Sequence, residues 1–164
     1  MKLKMGEKGF TLLELIIAMA LITMVMAAVF MGFSVALRLF VEEMDRSNIY
    51  IEADRGISRM TKELLGAKEI VSASSREVTF WLADVNADGL RQDGETVRFA
   101  WEGTAESALN RIVSSEVLPI SYDVIDFTLG YDNPLGPKLI NIELTTGKGT
   151  NFVTLESSVK LRNI

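Results

Sequence analysis

Between Phe10 and Leu37 the only charged residue is Glu14, and Leu15 to Leu37 is an uncharged run of 23 residues. At 1.5 Å per residue such a run makes roughly 35 Å of helix, enough to cross a hydrocarbon core of about 30 Å. It contains no proline and one glycine, Gly32. The helical pattern continues past it. Between Val41 and Gly66, Ala53, Ile57, Met60 and Leu64 recur at spacings of four, three and four and form one apolar stripe. Glu42–Arg46 and Arg59–Glu63 stand at i,i+4 around that stripe, each pair contributing a few tenths of a kcal/mol at best. Gly66 supplies a stop. The pattern predicts one helix from about Phe10 to Leu65, roughly 85 Å long. Its first half suits lipid and its second half suits a sheet.

After Gly66 the period changes to two. The predicted strands are Glu69–Ser72, Val78–Ala83, Thr96–Trp101, Asn110–Val113, Val124–Tyr131, Leu139–Thr145 and Phe152–Leu161. Turn-rich segments separate them, among them Asn133-Pro134-Leu135-Gly136-Pro137 and Gly147-Lys148-Gly149. Within Val124–Tyr131, strict alternation puts Val124, Asp126, Thr128 and Gly130 on one face and Ile125, Phe127, Leu129 and Tyr131 on the other. A sheet of such strands is apolar on one side and needs a cover, for which the Ala53–Leu64 stripe is the candidate. The expected fold class is α+β, a long N-terminal helix whose second half packs on an antiparallel sheet.

Charge sharpens this division. The 164 residues carry a net charge of −5, yet Lys2, Lys4 and Lys8 against Glu7 leave residues 1–9 at +2 and the remainder at −7. Lysines before the apolar run keep the N-terminus cytoplasmic and export the rest of the chain. An acidic body repels phosphate, so nucleic acid is not an expected partner. The absence of cysteine and histidine excludes disulfides, thiolate chemistry and a histidine base. Asp123 and Asp126 could in principle serve as an acid/base pair, but no nucleophile–base pairing accompanies them, and the chain is not expected to be an enzyme.

The segment Lys8-Gly9-Phe10-Thr11-Leu12-Leu13-Glu14 resembles the processing site of type IV prepilins and of the pseudopilins of type II secretion systems. The resemblance implies cleavage between Gly9 and Phe10 by a dedicated inner-membrane prepilin peptidase, N-methylation of Phe10, and Glu14 as the acidic fifth residue of the mature chain. It also implies other pilin-like subunits as partners. A cut before the apolar run retains the membrane helix, whereas an ordinary secretory signal loses it. A carboxylate within an apolar run costs about 2.5–3.5 kcal/mol at mid-membrane by insertion scales, so Glu14 needs a reason. Pairing with the Phe10 amine of a neighbouring subunit would supply one and would set the axial register. Two alternatives stand beside this: a plain uncleaved signal-anchor, and ordinary signal-peptidase cleavage after Ala18-Met19-Ala20. The second would leave Leu21 to Leu37, 17 uncharged residues, on a soluble product.

Residues Asp84 to Glu95 match the calcium-loop pattern D-x-[DN]-x-[DN]-G-x₅-E at every specified position. Asp84, Asn86 and Asp88 would give side-chain oxygens, Leu90 its carbonyl and Glu95 a bidentate carboxylate, with Gly89 at the sharp turn. The flanking Thr79–Leu82 and Thr96–Phe99 read as strands, so the site would be a hairpin loop holding a structural calcium ion. The alternative is a solvated polar connection, and Arg91 within the loop speaks for it.

The organisation expected is a leader at 1–9, a membrane and filament-core helix at 10–37, an amphipathic helix at 38–66 and an exported β-rich region at 67–164. The protein would be single-pass in the inner membrane, with its C-terminal region extracytoplasmic (periplasmic in a diderm). The helix lacks a proline and the chain lacks a disulfide loop. Major pilins often have both, whereas the Arg/Glu-rich segment, the acidic hairpin and the ending Val159-Lys160-Leu161-Arg162-Asn163 look like a minor pseudopilin of the J type. Rivals are a minor pilin of a type IV pilus or DNA-uptake machine, a pilin-like adhesin or DNA-binding tip protein, and a membrane-anchored extracytoplasmic calcium-binding domain.

Overall fold

A computed structural model describes residues 9–82, 84, 87–133 and 136–162. One helix, α1, runs Leu12–Leu65 and is followed by β1 (Glu69–Ser74), β2 (Glu77–Trp81), a 3₁₀ turn at Asp93–Glu95, β3 (Thr96–Ala100), β4 (Ser107–Val113), β5 (Glu116–Tyr131), β6 (Leu139–Lys148) and β7 (Asn151–Lys160). The chain divides into two compact units, the first ending at Met44 and the second beginning at Asp45.

In the first unit the apolar side chains of α1 are exposed throughout. The two hydroxyls in the uncharged run turn back onto the helix: Thr23 Oγ1 donates to Ala20 O at 2.9 Å and Ser34 Oγ to Phe30 O at 2.8 Å. Neither hydroxyl is left to be satisfied by lipid. α1 is long and apolar enough to cross a membrane.

In the second unit the seven strands form one curled antiparallel sheet in the order β1-β2-β3-β4-β5-β6-β7, so every strand pairs with its neighbours in sequence. The expected stripe of α1 is buried against it, and Ala53, Met60 and Leu64 are completely inaccessible. Ile57, Met60 and Leu64 belong to a core that includes Phe80, Phe99, Phe127, Leu109 and Ile140. The Phe80 and Phe99 rings lie 5.6 Å apart and tilted at 34°. All seven predicted strands are present. Asn110–Val113 starts earlier, at Ser107, and Val124–Tyr131 lengthens to a 16-residue strand beginning at Glu116. Pro119, opposite Asn110, sits beside a register shift that leaves Ile120 of β5 as an extra residue, which is where a strand tolerates a missing N–H.

The alternation expected for Val124–Tyr131 is broken. Val124 is buried together with Phe127 and Leu129, because the register of β5 against β6 shifts between Val124 and Asp126. The extra residue, Ile125, is a β-bulge that moves Val124 onto the core face. Beyond the end of β4 the free edge of β5 is covered by the β1–β2 turn. Leu129 N–H donates to Ser75 O at 2.8 Å, and Tyr131 Oη donates to Ser74 O at 2.8 Å.

The helix is also fixed by polar contacts. Thr146 Oγ1 donates to Ile49 O at 2.9 Å and Ser121 Oγ to Glu52 O at 3.0 Å, and both hydroxyl residues are buried. Gly56 lies on the same helix face. A Cβ there would fall 2.9 Å from Leu144 Cδ2 and 3.0 Å from Ser121 Cβ. Two turns further on, Arg111 Nε of β4 donates to both carboxylate oxygens of Glu63, at 2.9 and 2.8 Å.

Candidate functional site

Gly9, Phe10 and Thr11 precede the first helical residue, carry no regular structure and are exposed, Phe10 at 83%. A Cβ placed on Gly9 would meet nothing within 4 Å. The Gly9–Phe10 bond is therefore accessible. Immediately after it Thr11 and Glu14 form a capping box. Glu14 N–H donates to Thr11 Oγ1 at 3.2 Å, while Glu14 Oε2 accepts from Thr11 N–H and Oγ1, each at 3.2 Å. Two helix-end donors are thereby satisfied reciprocally, and the negative charge sits at the positive end of the helix. This gives Glu14 a duty within its own chain that the sequence reading did not assign, although Thr-x-x-Glu before an apolar run carries the signal.

In the acidic loop Asp84 Oδ2 accepts from Gly89 N–H at 3.1 Å, and Gly89 has the left-handed φ of 72° expected of a sharp turn. Asp88 spends Oδ1 on Leu90 N–H at 2.8 Å and Oδ2 on Gln92 Nε2 at 3.0 Å. The buried Glu95 accepts from Gln92 N–H at 3.3 Å. Arg91 points to Glu69 of β1, 3.5 Å away, so its charge has an acidic partner outside the loop. Asp84 Oδ1 is inaccessible and has no hydrogen-bond partner among the described residues. No three acidic groups converge on a metal-sized point among the described residues, and Asn86 lies outside them. Leu90 is exposed at the loop tip. Asp123 stands at a left-handed φ of 53°, and Asp126 is exposed and hydrogen-bonds the next backbone N–H in β5.

Residues 4–30 match the family described as the prokaryotic N-terminal methylation motif. Comparisons with curated proteins and with solved structures returned no match. The matched segment holds Gly9, Phe10, the capping box and the first half of the apolar run. The motif belongs to structural proteins, and the exposed apolar helix that begins within it fits single-pass membrane anchoring. By this segment the chain bears the mark of type IV pilin-like proteins, which a prepilin peptidase processes and which assemble with other pilin subunits.

Proposed function

We propose that the chain is a structural filament subunit, a minor pseudopilin of the J type in a type II secretion system. It is cut between Gly9 and Phe10, methylated on Phe10 and anchored in the inner membrane with its sheet outside. The observation that carries this reading is the accessible Gly9–Phe10 bond placed directly before a capped, fully exposed apolar helix within the methylation motif. In the filament the Glu14 carboxylate of one subunit receives the Phe10 amine of the next, a charge pair set in surroundings of low dielectric. The subclass is supported by the Arg/Glu-rich segment after the apolar run, the acidic hairpin and the residues Val159-Lys160-Leu161-Arg162-Asn163.

The test is the intact mass of the membrane-extracted protein, made with and without a prepilin peptidase. A product beginning at Phe10 with one added methyl, seen only with the peptidase, is expected. An unchanged Met1 chain in both samples, or a product beginning at Leu21, overturns the reading.

A structural calcium ion in the Asp84–Glu95 loop is a second proposal. It is supported by the buried, unpartnered Asp84 Oδ1 beside the left-handed Gly89. Asp84 and Glu95 are the residues that would hold the ion, and binding would neutralise crowded carboxylates. Calorimetric titration of the full chain in detergent should give a dissociation constant on the order of 10⁻⁴–10⁻³ M, as in weak extracellular sites. The signal should vanish in Asp84→Ala. A flat titration through millimolar calcium removes the ion from the account.

A further inference from the structure

The apolar run is bounded by charge at both ends, and the two ends share one pattern. At its start the Phe10 amine, once freed by processing, stands four residues before Glu14; at its finish Arg38 stands four residues before Glu42. The order is cation first and carboxylate one turn later in both places. Arg38, Glu42 and the adjacent Glu43 are all exposed, and none of their side chains makes a hydrogen bond or ion pair among the described residues. Arg38 and Glu42 therefore do not satisfy each other within the chain, although i,i+4 spacing would let them. Base-first order does not forbid the bond, because Arg59 and Glu63 make it at 3.2 Å further along the same helix, so both charges at 38 and 42 stay open to another chain.

What one helix does not pair, two parallel helices can. If the Phe10 amine of one subunit meets Glu14 of its neighbour, the first helix is displaced outward by four residues, about 6 Å along the axis. The same displacement brings Arg38 of that subunit level with Glu42 of the neighbour. The two cation–carboxylate pairs are 28 residues apart, a whole number of heptads, so helices packed with a shallow left-handed crossing keep both on one seam. Arg38 comes directly after the last residue of the uncharged run, where apolar surroundings make a charge pair count for more than it does in water.

Resting on the filament reading above, we infer that Arg38 and Glu42 form a second register contact between subunits, at the outer end of the apolar run. The occupant of this surface is the same segment of a second copy of the chain, displaced outward by one turn. Each copy offers an arginine to one neighbour and a carboxylate to the other, so the contact is head-to-tail and suits an open filament better than a closed pair.

The test uses the full, peptidase-processed chain carrying two different tags and co-expressed in membranes, with co-isolation of the second tag as the readout. Arg38→Glu sets like charges opposite each other and should lower co-isolation about fivefold or more. The double reversal Arg38→Glu with Glu42→Arg restores opposite charges at the same offset and should recover most of it, which a role within one chain would not require. Because the chain has no cysteine, R38C and E42C copies can also be mixed and oxidised; the mixed disulfide should exceed either symmetric one. Normal co-isolation in Arg38→Glu, or no recovery in the double reversal, overturns the contact while leaving the filament reading intact. If the parent chain is processed but captures only other proteins, the second copy is the wrong occupant. If it is not processed at all, the filament reading falls with it.

Discussion

At the scale of single residues, a few side chains carry two duties, and substitutions can separate them. Glu14 caps its own helix through Thr11 and is proposed to hold a neighbour's amine. Glutamine also serves at the third position of a capping box but lacks the charge. Glu14→Gln should therefore keep the helix start, read from amide exchange at Thr11 and Glu14, while losing assembly. Glu14→Ala should lose both. Equal assembly of Glu14→Gln and parent would show that capping is the only role. Gly56 is a second case. An exposed helical glycine replaced by alanine usually gains up to about 1 kcal/mol, but here the added methyl meets the buried Leu144 and Ser121 Cβ. Gly56→Ala is expected to destabilise by about 1–3 kcal/mol, as overpacking does. Thr146→Val should cost about 1 kcal/mol by removing the hydroxyl bond that the Ile49 carbonyl accepts from the sheet. Urea unfolding of both variants checks these values, and a stabilised Gly56→Ala would mean that the helix does not sit this close to the sheet.

At the scale of elements, the period of the sequence locates the strands well and their irregularities poorly. Ala53, Ile57, Met60 and Leu64 announce the buried face because one period governs the whole segment. Ile125 does not announce its bulge: a bulge inserts one residue without changing composition, and only the partner strand shows that Val124 has crossed to the core. Gly56 is equally silent, since a glycine required by close approach looks like any other until Leu144 and Ser121 are in place. The acidic loop was legible as a motif and not as a geometry, because its carboxylates satisfy the loop's own amides. The segment after β5 shows a related economy. Asp132 Oδ1 accepts from the N–H groups of Leu139, Lys138 and Asn133, and these bonds hold its carboxyl below the usual range, the Leu139 bond most of all. Its contribution to local order is fully present above the usual carboxylate pKa and is lost as pH falls through the depressed value. Protection of the Lys138 and Leu139 amides should therefore drop in acid. In Asp132→Ala it should already be low at neutral pH and should not depend on pH in this way.

At the scale of the molecule, the buried core is confined to residues between Ile49 and Leu161, and none of it comes from the unit that ends at Met44. The sheet and the helical segment that covers it should stand alone. A chain beginning at Asp45 is expected to unfold in one cooperative transition, with a midpoint within a few degrees of that of the same unit in the full chain, the displacement produced by about 1 kcal/mol in a domain this size. Calorimetry of both forms checks this, and a non-cooperative profile would show that the apolar run contributes to folding as well as to anchoring.

The strictly sequential strand order also bears on how the domain is built. A chain that emerges N-terminus first presents the covering helix before any strand, then offers each strand to the one that has just preceded it. No strand has to wait for a distant partner, so the entropy of closing long loops stays small at every step and the sheet can grow by one hairpin at a time. Each addition also covers the edge left by the previous strand, which limits the time any unpaired edge is available to another chain. In the filament proposed above, where each copy reaches its folded form beside many similar ones, this order of construction is itself a protection against mispairing.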